Sequence, residues 1–185
     1  MKEQIKKDLI YFTGFMAGGK STIGQIVANT LGYAYTDIDK EIEKRLGKKV
    51  TEIFAELGEA YFRELETQVL SEISKQPRHV ISLGGGTIMN PKNLEIIKSK
   101  GLLLYLKSSL ENIYKRLRYK TDRPVFMDKD GKWLRDSELK DKIKILMEIR
   151  EPIYQQSDLI FQTDNKPVGV TVDEIIKKIK PLIEL

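Results

Sequence analysis

"GFMAGGKST", residues 14–22, stands between an apolar, β-prone run, "LIYFTG" (Leu9–Gly14), and "KSTIGQIVANTL" (Lys20–Leu31). In the latter, Ile23, Ile26, Val27 and Leu31 recur at helical spacing. Gly14, Gly19, Lys20 and Ser21 satisfy G-x-x-x-x-G-K-[ST]. Each part has a physical reason. Glycines let the backbone wrap so that its N–H groups face phosphate oxygens, and the helix starting near Lys20 adds its positive end. The lysine reaches the β/γ-phosphates, and the serine offers a hydroxyl to Mg²⁺. A chance glycine-rich turn would not need the strand before it and the amphipathic helix after it. Ala17 precedes Gly18 here. A methyl group is easiest to place at negative φ, so the expectation is that Ala17 keeps negative φ and Gly18 takes any strained conformation.

Outward from this stretch, strand-like and helical patterns alternate. "YAYTDID" is a short extended piece, followed by helical patterning over 39–46 and again from Thr51 to about Ser74. "HVISLGGG" reads as a buried strand ending in glycines. "NPKNLEIIKSKG" offers Asn90 as N-cap, Pro91 in the first turn and Gly101 as stop. "LLLYLK" (Leu102–Lys107) is another buried strand, and Ser108 and Glu111 are spaced as a capping box for the next helix. A long helix from Ser137 to about Ser157, bent near Pro152, leads to the strand "LIFQT" and a final helix capped by Thr171 and Glu174. Strands alternating with helices imply an α/β fold with a parallel sheet covered on both faces. Ligands bind at the carboxyl ends of such strands, here Gly14, Asp37/Asp39, the Gly84 run, Lys107 and Thr163. One stretch, "RYKTDRPVFMDKDGKW" (Arg118–Trp133), has no clear period and reads as a lid, with Trp133 as an anchor.

The chain of 185 residues is the size of one domain, and its 41% hydrophobic content supports a buried core. There are no cysteines, which excludes a disulfide scaffold, a thiolate metal site and a cysteine nucleophile. No apolar run reaches the ~18 residues of a membrane helix, and "MKEQIKKD" lacks the apolar core of a signal peptide. A cytoplasmic protein is expected. The net charge of +5 suits either nucleic acid or small anions. No block of like charge stands out, and a few arginines around anionic substrates account for the excess.

Four further constellations carry chemistry. Asp37 and Asp39 stand at a strand end beside the phosphate loop; the plain alternative is an N-cap next to a solvated acid. In that place one carboxylate can hold Mg²⁺ through water while the other orients or deprotonates a hydroxyl. Gly84, Gly85 and Gly86 form either a tight turn or a place where backbone meets ligand. Ser82, the polar residue of that strand, is a candidate to hold a metal-bound water. Arg63, Arg123 and Arg150 are each unexceptional as surface residues, yet suit a substrate carboxylate and a transferring phosphoryl group. His79, the only histidine, is expected to be a solvated loop residue without a catalytic role.

"GFMAGGKST", "TDID", "FRELE", "SLGGGT", "RP" in the lid and "REPIY" occur in the order and approximate spacing of one family. Along essentially its whole length the chain resembles shikimate kinase. The resemblance implies a P-loop kinase fold in a single domain over 1–185. It has a five-stranded parallel sheet flanked by helices, a substrate-binding helical region at about 37–65 and a lid at about 116–133. It implies transfer of the ATP γ-phosphoryl group to the 3-hydroxyl of shikimate, on the route to chorismate and aromatic amino acids, with one Mg²⁺ per monomer. By motif, Ala17, Gly18, Gly19, Lys20, Ser21 and Thr22 wrap the phosphates, Ser21 and Asp37 serve Mg²⁺, and Asp39 is the base. Arg63 and Arg150 clamp the carboxylate, and Gly84, Gly85 and Gly86 approach the substrate with backbone amides. Phe54, Phe62 and Pro124 line its pocket. Arg123 arrives with the lid, Arg116 stacks on the adenine, and Lys166 or Pro167 lies near it. A monomer without nucleic-acid or membrane partners is implied. The rival readings are a kinase for gluconate or a nucleoside monophosphate, an ATP-driven nucleic-acid module, which would want a basic stripe with interleaved aromatics, and an inactive nucleotide-binding partner.

Overall fold

The computed structural model describes residues 7–119, 124–128 and 130–183. Five strands form one parallel sheet: β1 (Leu9–Thr13), β2 (Ala34–Asp37), β3 (His79–Ser82), β4 (Leu102–Lys107) and β5 (Leu159–Gln162), in the order β2-β3-β1-β4-β5. Alternation along β1 decides what covers each face. Leu9 and Tyr11 belong to one core, Ile10 and Phe12 to the other, and all are buried. The second core is closed by α1 (Lys20–Leu31) and α7 (Val168–Ile179), through Ile23, Val27, Val172, Ile175 and Ile179. The first is closed by α2 (Ile38–Leu46), α3 (Val50–Ile73), α4 (Pro91–Lys100), α5 (Leu110–Leu117) and α6 (Asp136–Tyr154).

The chain passes from β3 to β4 on the opposite side of β1. The strand order therefore switches at β1, and a crevice opens at the carboxyl ends of β1 and β3. The phosphate loop follows β1 and the triple glycine follows β3, so both motifs meet there.

Several local expectations are corrected. Ala17 stands at φ 60, in the left-handed region, whereas Gly18 does not; Gly14 (φ 134) and Gly19 (φ 95) take the other positive angles. Gly18 is needed for space instead, because a Cβ there would lie 2.9 Å from the Phe15 carbonyl oxygen, which accepts the Gly18 N–H at 3.1 Å. The helix α3 is broken at Gly58 (φ 81, ψ 164), a conformation that only glycine adopts readily. α5 is capped by Ser109, which accepts from the Asn112 amide at 3.3 Å; Ser108 donates to Asp164. α7 starts at Val168 with Pro167 at the cap, leaving Thr171 buried inside the helix. His79 is a buried strand residue whose Nε2 lies 2.8 Å from Thr36 Oγ1. Trp133 packs edge-on against Phe126 (5.6 Å between centroids) and bridges Met127, which holds the end of the unpatterned stretch in place.

Candidate active site

Two cavities adjoin at the strand ends. The larger, about 610 Å³, is lined by Ala17, Gly18, Gly19, Lys20, Ser21 and Thr22, with Asp37 on one side and Lys115, Arg116, Thr163 and Lys166 further out. The smaller, about 220 Å³, is lined by Phe54, Phe62, Arg63, Gly86, Pro124 and Arg150. Met16, Asp39, Gly84 and Gly85 line both. A reacting group could therefore pass from one to the other past the Asp39 carboxylate.

The loop is built to hold anions. Lys20 is buried, and its ammonium donates to the carbonyls of Gly14 (2.8 Å) and Phe15 (3.0 Å). Arg116 Nη1 donates to the Ala17 carbonyl at 3.0 Å, which ties α5 to the loop. Ser21 Oγ donates to Asp37 Oδ2 at 2.6 Å, while Asp37 caps α2 by accepting from the Lys40 amide. The pair offers two hard oxygen donors at the mouth of the larger cavity. That suits Mg²⁺, which takes one or two protein ligands and fills the rest of its octahedron with water and phosphate. Asp39 is the second residue of α2 and Asp37 its cap, so helical geometry rather than strand alternation brings both to the cavity.

Ser82 is not in either cavity. It is buried, donates to the Lys20 carbonyl at 3.1 Å and accepts from the Tyr35 hydroxyl at 3.0 Å. It fixes the start of α1, and both of these hydrogen bonds lie inside the protein and not at a cavity wall.

The smaller cavity is cationic at one end. Arg150 is buried beside the Phe15 ring (5.6 Å), and its Nη1 has no hydrogen-bond partner among the described residues. A buried guanidinium N–H without an acceptor costs on the order of 1–3 kcal/mol, so the site is made to receive one. Arg63 lies over Phe62 (5.4 Å) and Phe54 (6.0 Å), and presses on Gly86, where a Cβ would sit 2.8 Å from its Nη2. Its orientation comes from Glu59, one turn before it, which accepts from its Nε (3.3 Å) and Nη2 (3.2 Å), and from Glu66, whose role the sequence alone did not show. Glu66 is fully buried and accepts from Arg63 Nη1 at 2.9 Å and from Thr87 Oγ1 at 2.5 Å. Burial pushes its carboxyl above the usual range, against the pull of Arg63. The i,i+3 spacing in "FRELE" was the available signal. Gly84 fits between these acids, since a Cβ there would lie 2.8 Å from Glu66 Oε1 and 2.9 Å from Asp39 Oδ1.

Thus Lys20, Ser21, Asp37, Asp39, Arg63, the three glycines, Phe54, Phe62, Pro124, Arg116 and Arg150 are all brought together. Pro167 is not among the lining residues; its neighbours Lys166 and Val168 are. Arg123 lies outside the described residues.

A phosphate loop after β1, a carboxylate at the junction of two cavities and a small anion-ready acceptor pocket define a P-loop small-molecule kinase. The shikimate kinase family model matches residues 16–180. A shikimate kinase from Chlorobaculum tepidum is 48% identical over 93% of this chain and 90% of its own length. Among solved structures, the chain is similar to a shikimate kinase from Acinetobacter baumannii in complex with shikimate (TM-score 0.86, 30% identity, 95% and 94% of the two chains covered). It is also similar to shikimate kinase from Bacteroides thetaiotaomicron (TM-score 0.83, 34% identity, 93% and 98% covered). The chain belongs to the shikimate kinase family, and with it to the ATP-dependent kinases.

Proposed function

We propose that this enzyme transfers the γ-phosphoryl group of ATP to the 3-hydroxyl of shikimate, giving shikimate 3-phosphate and ADP, in the biosynthesis of aromatic amino acids. The observation that carries the reading is the place of Asp39. It lines both cavities, and Arg63 and Arg150 line the acceptor cavity with it. Shikimate is an anionic polyol. It calls for arginines at its carboxylate and an acceptor of protons at its hydroxyls.

In this reading Lys20 exchanges its carbonyl partners for the β- and γ-phosphate oxygens. The loop amides and the N-terminus of α1 hold the donor in line. Asp39 orients the acceptor hydroxyl and takes its proton as the new P–O bond forms and the bond to ADP breaks. Ser21 and Asp37 are the residues that would hold Mg²⁺, directly and through water. When bound there, Mg²⁺ would offset the negative charge of the phosphates. Arg63 and Arg150 take the carboxylate, with Phe54, Phe62 and Pro124 against the ring. Arg123 comes towards the phosphoryl group on a lid over about 116–133, which excludes water as a competing acceptor. Arg116 stacks on the adenine, with Lys166 or Pro167 near it. The enzyme works as a cytoplasmic monomer of one domain, with no nucleic-acid or membrane partner.

Release of ADP, followed with shikimate, gluconate and a nucleoside monophosphate as acceptors, tests the assignment. Turnover is expected with shikimate alone. Absence of shikimate-dependent turnover would refute it.

A further inference from the structure

Tyr154 closes α6, one turn after Arg150, and nothing in the chemistry above uses it. It is buried to 1% exposure, yet its ring carries a hydroxyl that must be satisfied. That hydroxyl donates to the Gly85 carbonyl oxygen at 2.5 Å, across 69 residues of sequence. The ring packs at 5.0 Å against Tyr105 of β4, so the hydroxyl is aimed by core packing and not by chance.

Gly85 lines both cavities and lies against Arg150. A Cβ there would lie 3.3 Å from Arg150 Nη1 and 3.4 Å from the Met16 amide. The Gly85–Gly86 peptide is trans and planar. Fixing its carbonyl towards Tyr154 turns the Gly86 N–H the opposite way, away from the core. Gly86 lines the acceptor cavity and sits under Arg63. One hydroxyl therefore sets the plane of a peptide that borders the carboxylate end of the site, and links it to the helix that carries Arg150.

We propose that Tyr154 is a positioning residue for the acceptor's carboxylate: its hydroxyl locks the Gly85–Gly86 peptide so that the Gly86 amide and the Arg150 guanidinium face the same anion. The inference rests on the shikimate reading given above. It makes the triple glycine a built oxyanion cradle, not only a turn that avoids side chains. The glycines are needed because Arg63, Arg150, Asp39 and Glu66 crowd the turn, and Tyr154 is needed because glycines do not hold their own orientation.

Tyr154→Phe keeps the ring and removes only the hydroxyl. Steady-state kinetics of the variant, with shikimate and ATP varied in turn, are expected to show the shikimate KM raised roughly five- to thirtyfold, the scale of one lost hydrogen bond. The ATP KM should stay within about twofold, since the larger cavity does not depend on this peptide. A second measurement separates positioning from general loosening. With the uncharged carboxamide of shikimate as acceptor, the variant's penalty should shrink, because the anion that the cradle serves is gone. An unchanged shikimate KM overturns the proposal. So does a parallel rise in both KM values with a lowered Tm, which would make the hydroxyl a structural tie alone. A penalty of equal size for the carboxylate and the carboxamide overturns it too. If the unaltered enzyme fails to turn over shikimate, the assigned substrate is wrong, and that result is seen before any variant is made.

Discussion

In the proposed reaction Asp39 is the residue on which the chemistry turns, because among the described residues it alone supplies a carboxylate to both cavities. Asp39→Asn keeps the shape and hydrogen-bonding reach but removes the proposed base. The expected outcome is a fall in kcat of about 10²–10⁴-fold, the usual worth of a positioned general base. Nucleotide affinity, measured by titration, should stay near the unaltered value. An equal loss of ATP affinity would mean that Asp39 serves the nucleotide instead. Ala17 makes a different point at the same scale. At φ 60 it occupies a conformation that costs an L-residue roughly 1–2 kcal/mol. Ala17→Gly removes that strain but adds about 0.5–1 kcal/mol of chain entropy. The net expectation is a gain of up to about 1.5 kcal/mol, seen as a Tm raised by up to about 6 °C. A lowered Tm would show that the methyl's packing against the core outweighs the strain.

At the scale of elements, the nucleotide side is assembled by a single carboxylate at the end of β5. Asp164 accepts from Ser108 Oγ (2.6 Å), the Ser109 amide (2.7 Å) and Asn112 Nδ2 (2.7 Å), which joins the start of α5 to the turn that leads to Lys166. Partial burial works against its charge, yet the hydrogen bonds from Asn112, Ser108 and Ser109 hold its pKa down at about 2. A pKa depressed in the folded state stabilises the fold above the unfolded value near 3.9. That contribution is lost as pH falls from about 4 to 2. Asp164→Ala should therefore be less stable than the unaltered protein at neutral pH, and the gap should close in acid over that window, followed by denaturant unfolding at a series of pH values. A gap that persists at pH 2 would mean that packing and not charge joins these elements. The same scale shows where pattern reading succeeds. The strands and the order of helices follow from apolar runs and periods, read with the glycine, proline and cap signals between them. Helix ends do not, because Ser108 or Ser109, and Pro167 or Thr171, are equally plausible caps until the partner across space (Asp164 for Ser108) is known.

Over the whole molecule, the sheet order brings two glycine motifs, 70 residues apart in sequence, to one crevice, and the fold and most of the site were legible for that reason. Residues that face the ligands keep a recognisable local spelling: the phosphate loop, "TDID", "SLGGGT", "REPIY". Residues that support them from behind, Glu66 in "FRELE", Ser82 in "SLGGGT" and Tyr154 in "REPIY", share that spelling, but their roles do not show in it. Glu66, Ser82 and Tyr154 act through contacts 21, 62 and 69 residues away. The burial of His79 is hidden in the same way, since it depends on β2 pairing alongside β3. The phosphate loop also couples the site to the stability of the whole chain. Lys20 holds two loop carbonyls in the absence of nucleotide and is placed to hold phosphate in its presence. ATP with Mg²⁺ at about a hundred times its Kd should add roughly 2.7 kcal/mol, a Tm rise of about 5–10 °C for a chain of this length. Lys20→Ala should lower the Tm without nucleotide, because the Gly14 and Phe15 carbonyls lose a buried donor. At the same nucleotide concentration its ATP-dependent rise should be less than half that of the unaltered protein. Differential scanning calorimetry of both proteins, with and without ATP, checks both parts. An equal rise in the two would make Lys20 a brace for the loop and leave the phosphates to the backbone amides and the helix terminus.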